Sequence, residues 1–159
     1  MLFAARRLIR ALGAYMNESL KQFREWCLRA FAFLSQYGFT EVESDKEQFN
    51  PYCVSFSNGE IQLVVKGEGY GSIASISYVN RDGVEVPSQF LEPNWGPQSL
   101  FRKKKKKKGP SLTQEQQVFN AADRIKERDG DILQGGYARL DEVGVRWKNI
   151  KERLFGGRA

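Results

Sequence analysis

Between Asn17 and Tyr37, apolar residues recur at helical spacing: Leu20, Phe23, Cys27, Ala30, Phe31 and Leu34 form one stripe. Ser19 followed three residues later by Gln22 has the form of a capping box at the start of this helix. Gly38 stands where a left-handed C-cap would end it, and Phe39 is placed to fold back on the last turn.

The periodicity then changes to two. In "PYCVSFSNGEIQLVVK", Asn58-Gly59 is the preferred pair for a two-residue type I′ turn. That turn would set Phe56 opposite Ile61, Val54 opposite Leu63 and Tyr52 opposite Val65. One face of the hairpin is then wholly apolar, while the other carries Ser55, Ser57, Glu60 and Gln62, with Cys53 and Val64 toward its far end. "SIASISYV", residues 72–79, reads as a third strand, Arg81-Asp82-Gly83 as a turn, and Val84 to Val86 as a short fourth strand. Phe39 to Glu43 can add one more.

Helical spacing returns after the run "PSQFLEPNWGPQSLFRKKKKKKGP". Thr113 and Gln116 form a second capping box, followed by Val118, Ala121, Ala122, Ile125, Ile132 and Leu133, with a weak point at Gly130. Gly135-Gly136 should end this segment. Tyr137, Leu140, Val143, Trp147, Ile150 and Leu154 then mark a final helix or pair of helices. The pattern predicts an α+β fold: an N-terminal helix packed on a three- to five-stranded antiparallel meander, followed by C-terminal helices. Residues 16–159 are expected to form a single domain with a lysine-rich loop at about 99–112. Residues 1–15 are expected to be a basic amphipathic extension, with Ala5, Leu8, Leu12 and Tyr15 on one stripe and Met16 as the true start.

Charge looks like a nucleic-acid signal until it is located. The net charge is +6, and the six lysines from Lys103 to Lys108 account for all of it. Three arginines and no acid lie within residues 1–15, which puts the remainder of the chain at −3. The basic balance belongs to one segment and one end, not to a face of the fold.

Two cysteines, Cys27 and Cys53, make neither a disulfide framework nor a metal-ligand pattern, and they read as reduced thiols in a cytoplasmic protein. The chain has no histidine, which removes Ser-His-Asp and Cys-His catalysis together with histidine metal sites. No hydrophobic run approaches the roughly 20 residues of a membrane-spanning helix.

Candidate chemistry is sparse. "GEGYGS", residues 67–72, lacks the spacing and the lysine of a phosphate-binding loop and reads as a strand-to-strand connection. Asp123, Glu127, Asp129, Asp131, Asp141 and Glu142 read as charges on the outer faces of helices, with no catalytic role. No cofactor, metal or enzymatic activity is expected. Trp95, in "EPNWGP", is a candidate partner-binding anchor and equally a lid over the open edge of the sheet. Lys103, Lys104, Lys105, Lys106, Lys107 and Lys108 are candidate anion-binding residues. No aromatic residues or arginines interleave them, so they offer electrostatic contact without sequence readout, and a solvated loop is the plainer reading.

"FAFLSQYGF", "VSFSNGEIQLVVKGEGYGSIASISYV" and "GDILQGGYARLDEV" together resemble a loose group of small bacterial α+β proteins. Some members of that group look like immunity proteins of polymorphic toxin systems. The resemblance spans about residues 19–155 and rests on core and turn patterns, so it implies no catalytic residues. It implies a protein-binding module, immunity-like in role, that neutralises a partner toxin. The lysine run departs from that pattern, because nuclease inhibitors usually present acid to a basic site. The competing expectation is a non-specific nucleic-acid or anionic-surface binder acting through Lys103–Lys108.

Overall fold

The computed structural model describes residues 18–43, 50–68, 73–92 and 111–155. Residues 18–30 form α1, and the predicted stripe faces inward: Phe23, Cys27, Ala30, Phe31 and Leu34 are all in the core. The helix is not continuous to Tyr37, however. It tightens into a 3-10 segment, Ala32–Tyr37. That winding keeps Phe31 on the sheet, 5.7 Å from the Phe56 ring, while Phe33 turns toward Lys126, whose ammonium lies 4.7 Å from its centroid. Gly38 ends the segment at φ 78°, and the Phe39 N–H reaches the Leu34 carbonyl at 3.2 Å, so Phe39 is buried as expected. Ser19 lies within α1 rather than at its cap; its hydroxyl meets the Tyr52 hydroxyl at 2.5 Å.

Five strands form an antiparallel sheet in sequential order: β1 Thr40–Val42, β2 Cys53–Ser57, β3 Gln62–Glu68, β4 Ile73–Val79 and β5 Glu85–Pro87. The β2–β3 hairpin pairs Phe56 with Leu63 and Val54 with Val65, two residues away from the register that a two-residue turn would impose. The cause is Asn58. Its side-chain carbonyl accepts the N–H groups of Glu60 and Ile61, both at 3.1 Å, which builds a four-residue loop with Gly59 at φ 89°. A slip of two preserves the faces, so Val54, Phe56, Leu63 and Val65 still point together into the core.

The opposite face is not the solvated surface that its serines suggested. Cys53, Ser55, Val64 and Ser77 are buried there, although neither Cys53 nor Val64 belongs to the core that the helices share with the first face. Val64 sits between Ser55 and Ser77 across the ladder. Beside it, Glu85 bonds the Lys66 ammonium and accepts the Ser77 hydroxyl at 2.6 Å.

A short 3-10 turn, Ser88–Leu91, follows β5. Then come α2 Gln114–Arg128, α3 Gly130–Leu133 and α4 Ala138–Phe155. Thr113 and Gln116 make the predicted reciprocal capping box, and the predicted weak point is a real break between α2 and α3 at Asp129. Two contacts fix α4 against the end of the sheet: Trp147 packs on Phe90 with ring centroids 4.4 Å apart, and Gly144 passes close to Asn80.

Candidate docking groove

Trp95 and Lys103–Lys108 lie outside the described residues. The glycine-rich stretch joins two paired strands, with Glu68 opposite Ile73, which is the connection expected of it; residues 69–72 lie outside the described set. Asp123 and Glu127 are exposed on α2, Glu142 pairs with Arg146 one turn on at 2.8 Å, and Asp141 pairs with Arg81. Asp129 is the exception among these acids.

Asp129 is fully buried, contrary to the expectation of an outer helix face. The chain leaves α2 at this residue, so its side chain turns inward beneath the helix end. Arg128 grips it with two bonds, Nε to Oδ1 at 2.6 Å and Nη2 to Oδ2 at 2.7 Å. Tyr78 of β4 donates its hydroxyl to Oδ2 at 3.0 Å, and Arg139 of α4 donates to Oδ1 at 3.1 Å and to Asp131 at 3.0 Å. Burial, then the charge of Asp129 and the bond to it, push the Tyr78 phenol well above its ordinary range. Burial works against the charge of Arg128, but the hydrogen bond and the negative charge of Asp129 more than offset it and raise its pKa. Both carboxylates of the Asp129-Gly130-Asp131 stretch therefore serve arginines, and no group among the described residues has the composition to hold a metal ion. The Cys27 thiol is buried and held protonated, chiefly by desolvation and then by neighbouring Cys53.

The Asp129 node joins α2 to β4 and so sets one wall of a groove. β5 pairs only with Ser77–Val79, so among the described residues Ile73–Ile76 of β4 have no neighbouring strand on that side of the sheet. Two connected clefts run along this stretch beside α2. One, of about 550 Å³, is lined by Ser75, Ile76, Gln89, Glu92 and Arg128 among others. The other, more open and of about 890 Å³, is lined by Leu112, Gln117 and Asp123 among others. Ala74 and Arg124 line both.

The charges in the first cleft are mostly engaged with one another. Glu85 holds Lys66, Glu68 accepts the Ser75 hydroxyl at 3.1 Å, and Glu92 lies 3.8 Å from Arg128. Arg124 differs. Its side chain is exposed, its Nε bonds the Asn120 carbonyl of its own helix at 3.4 Å, and it makes no ion pair among the described residues. Sequence reading missed this groove because Arg124, Gln117 and Ala74 are unremarkable singly; the shortness of β5, ended by Pro87, was the one signal that could have found it.

No family model, no curated protein and no solved structure matches the chain.

Proposed function

We propose that this chain is a non-enzymatic protein-binding module, immunity-like in its role, that neutralises a partner toxin by docking part of it. The observation that carries the reading is the groove between β4 and α2, in which Arg124 offers a positive charge without an ion-pair partner among the described residues. Charged residues on a folded surface commonly find local partners, and a cation held in a cleft beside an open strand edge suits a protein ligand. The sequence resemblance to immunity-type proteins points the same way.

The test is co-expression with the product of the adjacent reading frame. The reading expects the two proteins to co-elute and the chain to restore growth to cells that the neighbour inhibits. Separate elution with no effect on growth would overturn it.

The second reading, a non-specific nucleic-acid or anionic-surface binder, is supported by one sequence fact: Lys103–Lys108 carry the whole net positive charge. Fluorescence anisotropy with labelled RNA and duplex DNA at several salt concentrations decides it. Binding with a log–log salt slope of about −5 that vanishes when all six lysines become glutamine would favour this reading over the first.

A further inference from the structure

We infer that the groove is a strand-addition site: it takes an extended, acidic segment of the partner, which pairs with the open edge of β4 and sets a carboxylate against Arg124. This rests on the protein-binding reading above and specifies its mode.

The Asn80 N–H bonds the Val84 carbonyl across the β4–β5 turn, and N–H groups alternate in direction along a strand. Tyr78, Ile76 and Ala74 therefore direct their main-chain groups to the same side, away from β3. Among the described residues the β5 ladder covers that side only as far as Ser77↔Pro87, a pair whose main-chain groups face away from each other, and the chain then turns into the 3-10 segment Ser88–Leu91.

A side chain of α2 occupies the edge that no described strand covers. The Gln117 carboxamide accepts the Ala74 N–H at 3.2 Å and donates to the Leu112 carbonyl at 3.1 Å. A carboxamide carries the same donor and acceptor as a peptide group. Gln117 thus stands where a strand's peptide unit would stand, as native proteins shield an open edge. A flexible side chain can swing away in exchange for a real strand, as in other strand-addition complexes.

From Gln117 to Arg128, α2 rises roughly 16 Å, which matches an extended segment of about five residues. The carboxylates of the first cleft are already engaged, so the charge that cleft leaves to a ligand is that of Arg124 and the complementary ligand group there is a carboxylate; Asp123, paired with Lys126, and Glu127 line only the second cleft.

The experiment selects a phage-displayed random peptide library on the full chain, then measures synthetic winners by anisotropy against wild type and three variants. The expected winners carry Asp or Glu at a fixed position. Arg124→Ala should weaken them about tenfold, as befits loss of a charge-assisted bond. Ala74→Pro, which deletes the edge donor at a position where proline is tolerated, should weaken them at least about threefold. Gln117→Ala should tighten them by about threefold, because the competitor for the edge is gone; a residue that merely held the wall would give the opposite sign. Bound peptide should also slow amide exchange at Ala74 and Ile76. Circular dichroism checks that each variant is folded.

Winners without a carboxylate that bind all variants like wild type would overturn the inference, as would weaker binding to Gln117→Ala. If the neighbouring gene product binds the chain and all three substitutions leave that binding intact, strand addition fails while the protein-binding reading stands. If it does not bind at all, both fail.

Discussion

Asp129 shows how much a single side chain fixes in this fold. It holds one residue from β4, one from α2 and one from α4, and it is fully buried while doing so. Asp129→Ala would leave the buried Tyr78 hydroxyl without its acceptor and take the shared anion from two part-buried guanidinium groups, of which Arg139 keeps Asp131 and Arg128 keeps Glu92, so a loss of about 3 kcal/mol is expected from urea unfolding. Tyr78→Phe removes one bond from an aspartate that keeps its others, and should cost only about 1–2 kcal/mol. Tyr78 also sets an alkaline limit. Its folded pKa is raised above the ordinary value of 10.0, so the folded chain holds a proton that the unfolded chain releases. Its contribution is fully present below about pH 10 and declines as pH rises beyond that. Above about pH 10 the urea midpoint of wild type should therefore fall more steeply than that of Tyr78→Phe. Parallel curves would show that the phenol is not the titrating group.

Two helical glycines sit in opposite surroundings, one crowded and one open. A Cβ on Gly144 of α4 would come within 2.6 Å of the Asn80 side-chain nitrogen, and Asn80 is committed, since its carbonyl accepts the N–H groups of Asp82 and Val84. Gly144→Ala gains about 1 kcal/mol of helix propensity. It loses about 1–3 kcal/mol to overpacking, so the net effect should be destabilising. At Gly130, in the short α3, an added methyl would meet no atom within 4 Å, and Gly130→Ala should stabilise by about 0.5 kcal/mol. Thermal melts of the two variants should move in opposite directions.

The same scale shows how far the sequence could be read. Periodicity located α1, all five strands, both walls of the core and the Thr113 capping box, because these follow from spacing alone. It placed the β2–β3 register two residues off, because the Asn58 side chain replaced the expected tight turn with an Asx-supported loop, and side-chain bonding within a loop has no period. Asp129 read as a surface charge because the helix break beside Gly130 was visible, but not the inward turn it gives the preceding side chain. The groove depends on where β5 stops relative to β4 and on which cations lack an ion pair, and both belong to the assembled sheet.

For the whole molecule, the distribution of charge separates two possible working surfaces. The lysine run supplies the net positive charge, whereas the described body offers a mixed-charge groove with Arg124 at its centre. Among the described residues no helix is long and apolar enough to cross a membrane. A protein-binding role through the groove and an electrostatic role through the lysines predict opposite responses to the same two changes. The most direct measurement is light scattering on the full chain mixed with the product of the adjacent reading frame at physiological salt. It compares wild type, Arg124→Glu and a variant with Lys103–Lys108 replaced by glutamine. The account predicts a defined complex that survives loss of the lysines and is lost with Arg124→Glu while that variant stays folded. A complex that ignores Arg124→Glu, or that disappears with the lysines, would contradict it.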